Sequence, residues 1–211
     1  MSTQHSHLIP SRAAKRAQFD KETIYPILDE ALFCTVSYVA DDMPFSIPTG
    51  FVRYENKLYI HGSVGSHFIG ELEKGKTACI SVTLLDALVV AKSAFSHSMN
   101  YRSVVLFGKA EKIEDINEKH EVLKWFTNKM VPGSWDYLRL LKENELRKTT
   151  ILAFAIDEAS AKVRTGWPND EPEDKPLPIW SGIIPLDTVR RDPVSDEISQ
   201  TIPLPLHLQP K

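Results

Sequence analysis

At Tyr59-Ile60-His61-Gly62-Ser63-Val64-Gly65-Ser66-His67 an apolar run of strand type gives way to a loop holding two glycines and two serines. Phe68, Ile69 and Leu72 then fall on one helical face, with Ser66 placed to cap that helix and Gly75 to end it. A strand, a short polar loop and a helix start in this order present free backbone N–H groups and hydroxyl donors to an anion. Ser63, Ser66 and His67 are the natural contacts for such a group. A serine-capped loop that holds nothing is the alternative reading.

Outward from this stretch, hairpins dominate. On the N-terminal side the pattern predicts a helix over 23–31, with Thr23 as its cap and Pro26 in its first turn. Strands follow at 32–40, 43–53 and 57–62, joined by turns at Asp41-Asp42 and Glu55-Asn56-Lys57. On the C-terminal side, strands are expected at 76–85, 87–95 and 101–113. Val104-Val105-Leu106-Phe107 in the last is apolar on both faces, as a strand covered on both sides would be. Asp115 opens a helix to about residue 130 whose buried stripe is read as Ile116, Leu123, Phe126 and Met130. Pro132-Gly133 breaks it, a second helix is expected over 134–147, and strands at 150–156 and 160–166 complete the pattern. The fold class is therefore mainly β, a barrel with helical insertions.

The domain plan is a flexible N-terminal arm at 1–20, a barrel domain at 21–166, and a proline-rich wrapping tail at 167–211 that belongs to the same domain. The acidic cluster Asp170, Glu171, Glu173 and Asp174 lacks the spacing of a calcium loop and reads as a solvated run.

The 211 residues carry a net charge of −3 at pH 7, so no basic field argues for nucleic acid. No apolar run is long enough for a transmembrane helix, and the polar N-terminus has no signal-peptide core; the cytoplasm is the expected location. Cys34 and Cys79 lie in apolar β-like runs and are read as free thiols. With neither CxxC nor HExxH, no metal site is expected.

Two further segments can carry chemistry. Ser98-Met99-Asn100-Tyr101-Arg102-Ser103 brings an arginine into an apolar strand, where it needs a partner. A phosphate suits the guanidinium fork, and an ion pair with one of the many acidic residues serves equally well. Pro48-Thr49-Gly50 removes one ladder donor and one side chain, which fits either a flat ligand against an edge or a plain bulge. Among the histidines, His61 and His97 lie in the informative regions, and no nucleophile elbow accompanies them. No catalytic residue emerges from this reading.

Three stretches in register, Ile47–Phe68, Ala94–Ile113 and Ala161–Leu186, resemble the pyridoxamine 5′-phosphate oxidase-related flavoproteins, in particular the branch of nitroimidazole reductases and flavin-nucleotide-binding proteins. The similarity runs from about Arg16 to Leu186. It implies a split β-barrel of the FMN-binding type that forms a homodimer with FMN at the interface. The backbone around Pro48, Thr49, Gly50 and Phe51 would border the flavin ring. His61, Gly62, Ser63, Ser66 and His67 would meet the ribityl phosphate. Tyr101, Arg102 and Ser103 would complete those contacts, and Trp180 would approach the flavin from the second subunit. The chain departs from the family in carrying His67 where lysine or arginine is common, and in lacking the C-terminal Arg-x-His of true pyridoxamine phosphate oxidases.

The function expected from this resemblance is an FMN-dependent oxidoreductase acting on a small electron-poor substrate such as a nitro compound or quinone. A flavin-binding protein without turnover is the second reading. A haem-binding member of the same barrel, with His61 or His97 as axial ligand, is the third.

Overall fold

The computed structural model describes residues 16–209, and its two antiparallel sheets enclose a common apolar core. The large sheet runs β1 (Ala17–Gln18), β10 (Glu158–Arg164), β7 (Ser98–Gly108), β6 (Ala78–Val90), β2 (Phe33–Ala40) and β3 (Met43–Gly50), with β11 (Gly182–Pro185) pairing β6. The small sheet runs β4 (Val52–Tyr54), β5 (Lys57–Ser63), β9 (Thr149–Ala155) and β8 (Glu111–Lys112). The sheets do not join into a closed cylinder, so the fold is the split form of the barrel expected from the sequence.

Alternation decides which residues fill it. In β2, Cys34, Val36, Tyr38 and Ala40 are buried while Phe33 and Val39 are exposed. Val36, Ile80, Val104 and Leu106 of the large sheet meet Leu58, Ile60, Leu152 and Phe154 of the small one in the core. Tyr59, Ile151 and Ala153 project the other way and pack with Val122 and Phe126 of α3 (Ile116–Met130). The strand β9 is thus apolar on both faces, because core lies on one side and α3 on the other. In β7, by contrast, Val105 and Phe107 on the far face remain half-buried.

Several boundaries differ from expectation. The first helix, α1 (Lys21–Glu30), starts two residues earlier because Asp20 caps it, accepting from the Thr23 N–H at 2.8 Å. Pro26 therefore lies inside the helix rather than in its first turn. The expected strand 43–53 divides at Phe51, where the chain leaves the large sheet for the small one. The expected strands 76–85 and 87–95 are one strand, β6, with a register shift between Leu85 and Ala87 that absorbs Asp86 as a bulge. Asp115 caps α3 as read, but the buried stripe is Lys119, Val122 and Phe126, and Ile116 and Met130 are exposed. The expected helix 134–147 is a single tight turn at Trp135–Tyr137, an extended link, and α4 (Glu143–Arg147). Glu145 ends the link by accepting from the Lys142 N–H at 2.9 Å and from Arg139.

Both flanks of the barrel are tied in among the described residues. Ala17 and Gln18 of the expected arm pair with Lys162 and Ala161; residues 1–15 of that arm lie outside the described residues. In the tail, Asp170 is not merely solvated: it accepts from the Lys92 N–H at 2.7 Å. The Lys92 ammonium donates to the Lys175 and Leu177 carbonyls at 2.7 and 2.5 Å. Both cysteines are free, and burial pushes the Cys34 thiol up to about 12. No helix among the described residues is long and apolar enough to cross a membrane.

Phe154 is fully buried between the two sheets, so Phe154→Ala should lower the unfolding free energy by about 3–5 kcal/mol. Urea denaturation with an unchanged slope checks it; a loss under about 1 kcal/mol would mean that the core collapses to fill the space.

Candidate functional site

Antiparallel partners project to the same face of a sheet, and this sorts the expected site residues. On the outer face of the large sheet, Pro48, Thr35, Ser81, Val105 and Ser160 form one row. Ser46, Ser37, Cys79, Phe107 and Glu158 form the next. These positions are half-buried or exposed, and the Ser37 and Ser46 hydroxyls lie 3.1 Å apart. The result is a floor whose β3, β2 and β6 positions are small and mostly hydroxyl-bearing, bounded by Val105, Phe107 and Glu158. Gly50 and Phe33 pair at its margin, and a Cβ at Gly50 would meet nothing within 4 Å.

The edge strand β3 pairs only with β2 in this sheet and carries Pro44 and Pro48. Pro48 and Gly50 belong to the outer floor. Thr49 pairs with Cys34 on the opposite, inward side. The Phe51 ring is 1% exposed and lies in the core, so only the backbone of this residue is left to border a ligand. The Lys129 ammonium sits 3.7 Å from the Phe51 ring centroid and donates to the Leu28 carbonyl at 2.9 Å.

At the end of β5, the loop is organised from within. Ser63 Oγ accepts from the Gly65 N–H at 3.3 Å, and Ser66 Oγ accepts from the Ile69 N–H as cap of α2 (His67–Glu73). Both hydroxyls keep their own proton to donate. Gly62 has a packing reason, because a Cβ there would come within 2.7 Å of the Ile69 side chain. His67 is exposed, lies 3.6 Å from the Glu71 carboxylate, and stands 6.4 Å from the Phe45 ring, which in turn stacks on Tyr38. His61 points away from this loop, edge-on to Phe126 at 4.5 Å, and burial pushes its pKa down.

Arg102 and Ser103 do not act as one site. Successive strand residues face opposite sides, so Ser103 is on the outer face, where its hydroxyl donates to the Lys162 carbonyl at 3.3 Å. Arg102 points inward and is paired: Nε and Nη2 donate to Asp86, and Nη1 and Nη2 to Glu30, at 2.5–3.2 Å. Of the two readings of this arginine, the described chain shows the ion pair. Leu84, opposite Arg102, lies five residues along β6 from Cys79, which pairs with Ser37 beside Tyr38. At ~3.3 Å per residue Leu84 and Cys79 are about 17 Å apart along the strand.

Tyr101 is half-buried opposite Leu85 and Arg164. Trp180 is 64% exposed and lies over Gly182 at the start of β11, where a Cβ would come within 2.8 Å of its ring. Thus Pro48 and Gly50 share the floor, Ser63, Ser66 and His67 share the loop, and Arg102, Phe51 and Trp180 lie apart from both. Glu30 and Asp86 escaped the sequence reading. The signal for Asp86 is a lone carboxylate interrupting an apolar run, the usual mark of a bulge or a buried ion pair.

Comparison with known proteins places this geometry. Residues 20–163 match the pyridoxamine 5′-phosphate oxidase family. The flavocytochrome Anf3 of Azotobacter vinelandii is 36% identical, with 97% of this chain and 96% of that one aligned at a TM-score of 0.91. An FAD- and haem-binding protein of Mycobacterium smegmatis is 37% identical over 91% of this chain and 95% of that one, at 0.86. A 5-nitroimidazole antibiotic resistance protein of Bacteroides thetaiotaomicron, 24% identical, shares the fold at 0.60 over 70% of this chain and 86% of that one. No curated protein sequence matches.

Arg102→Ala leaves two carboxylates facing each other and should cost roughly 1–2 kcal/mol at neutral pH, given the partial exposure of all three groups. The Arg102 guanidinium holds the Glu30 carboxyl below its ordinary 4.5, a stabilisation present above that value and lost as pH falls through the folded value. The gap between wild type and variant should therefore narrow on acidification, read from urea midpoints at several pH values. A gap that does not change with pH would show that Arg102 acts through packing alone.

Burial also brings the Lys129 ammonium down from its ordinary 10.5 to about 8. Between those values the unfolded chain holds a proton that the folded chain has released, so stability rises with pH across the window. Lys129→Met should flatten that rise, measured as melting temperature from pH 7 to 10 against wild type.

Proposed function

The chain belongs to the pyridoxamine 5′-phosphate oxidase family, and on that premise we propose that it is a flavin-nucleotide-binding redox protein that works as a homodimer. The outer floor of the large sheet carries this reading. Its small side chains let a planar ring approach, and its hydroxyls can bond the polar edge of an isoalloxazine. Val39, paired with Pro44 on the same face and 50% exposed, gives a second copy apolar surface to bury beside the floor. The half-buried Val105 and Phe107 suit the same role.

FMN would set its phosphate at Ser63, Ser66 and His67. Arg102 is engaged by carboxylates, so a mononucleotide dianion depends on that loop's hydroxyls and one histidine. A dinucleotide divides its charge between two phosphates and adds an adenine that can lie on apolar surface near Phe45. This favours FAD, the flavin named for the Mycobacterium smegmatis relative. Bound flavin supplies electron and hydride transfer, and the protein supplies binding and orientation. A small electron-poor acceptor such as a nitro compound or quinone demands no titrating pair from the chain, which suits a floor built of hydroxyls.

One observation favours haem as a second group. His97 Nδ1 lies 2.9 Å from the Ser93 carbonyl, which fixes the ring and leaves Nε2 outward, the usual arrangement of a metal-ligating histidine. Phe95 and Met99 beside it are 93% and 49% exposed, an apolar setting for a porphyrin face. Two relatives above 35% identity are named a flavocytochrome and an FAD- and haem-binding protein.

The absorption spectrum of the purified protein should show flavin bands, and titration with FAD and with FMN should rank the two. Gly50→Val, a β-branched residue in open space on a strand, should leave the melting temperature nearly unchanged while weakening flavin binding by roughly ten-fold or more. His97→Ala should abolish a Soret band and spare the flavin bands. A colourless protein that takes up neither flavin, or a Gly50→Val variant with undiminished affinity, would sink the flavin reading.

A further inference from the structure

A cavity of about 460 Å³ opens where the large sheet is incomplete. On its side away from β7, β6 pairs with β2 through Cys79–Ser81 and with β11 at Ala87–Val90. Between these, Thr83–Asp86 form an open stretch of strand edge, and the cavity lies against it. The junction of α1 and β2 at Glu30–Phe33 walls one side, and the tail at Leu186–Arg190 walls the other. Leu186 is held there by its N–H, which donates to the Asp86 carbonyl at 2.9 Å. The volume is within the range of small-molecule sites, roughly 300–1,000 Å³.

The chemistry of the lining is one-sided. Arg102 directs four of its five N–H donors at Glu30 and Asp86, so it has little left to offer an anion. Those carboxylates, joined by Asp187, line the space and keep acceptor capacity that Arg102 does not fill. The three acids outnumber Arg102 and Arg190, which leaves one net negative charge in the lining. Phe33, Leu85 and Leu186 supply the apolar remainder, with Phe33 offering a ring face to a cation.

We propose that this cavity is a binding site for a small organic cation with a flat apolar body, of the N-alkylpyridinium type. The ring would lie between Phe33 and the leucines with its charge toward Glu30, Asp86 and Asp187. An anion of the same shape would face three carboxylates against Arg190 and a guanidinium already engaged. A neutral analogue would leave the acceptors without a charged partner. The site adjoins the flavin floor at Phe33 and Thr83, while its charged groups lie beyond the floor, and it does not rest on the flavin reading. Arg102 serves it as a positioning residue that fixes both carboxylates.

The test is calorimetric titration of the full-length protein with three isosteres: the 1-methylnicotinamide cation, neutral nicotinamide, and the nicotinate anion. The cation should bind roughly ten-fold or more tightly than nicotinamide, and nicotinate should bind most weakly. Glu30→Gln should reduce cation affinity by about the same factor, with nicotinamide affinity unchanged. Because Glu30→Gln also disturbs the Arg102 pair, Asp187→Asn in the exposed tail provides a variant without that cost to folding, and it should weaken the cation selectively. Equal affinity for all three probes, a preference for nicotinate, or no heat with the cation at concentrations where nicotinamide binds would each overturn the proposal. So would cation affinity unchanged in both variants.

Discussion

The packing of Leu58, Ile60, Leu152 and Phe154 against Val36, Ile80, Val104 and Leu106, all at most 1% exposed, fixes the rest of the molecule. Because side chains alternate, a slip of one residue in any of these strands would turn its apolar set out to water. The register that keeps the core dry therefore also determines what the outer face presents. Thr35, Ser37, Ser81 and Pro48 form a floor because their neighbours in sequence are needed inside. The candidate flavin surface is in this sense the reverse side of the core.

Much of this was legible in the sequence. The hairpin at Asp41-Asp42 follows from two residues that tolerate positive φ, and both adopt it, at 48° and 59°. The caps Ser66 and Asp115 were readable because each precedes an apolar helical period. Less legible were features set by tertiary contacts. Period alone does not show that β6 runs through Asp86, since a bulge looks like a break until a partner strand is known. Nor does it show that residues 138–142 stay extended, because their apolar content suits a helix equally well; the Arg139–Glu145 pair decides it.

The candidate site was legible by segment but not by direction. Thr49 and Pro48, like Arg102 and Ser103, are neighbours in sequence that look to opposite sides of one sheet. Motif reading treats such pairs as one unit, whereas strand geometry divides them between two environments. Arg102 shows the consequence most clearly. The desolvation argument that a guanidinium in an apolar strand requires a partner was sound, and the partners are Glu30 at the end of α1 and Asp86 at a bulge, 72 and 16 positions away. Sequence separation of this kind hides an ion pair from any local reading.

The two prolines of β3 have a geometric consequence for assembly. Residues 44, 46, 48 and 50 alternate with those that bond β2, so their backbone groups point to the open side of the sheet. At two of these four positions the ring nitrogen carries no proton. An incoming strand would find a ladder with every second rung missing on the donor side, and side-by-side extension of the sheet is blocked. Another molecule can meet this border only by laying a surface over it, not by prolonging it.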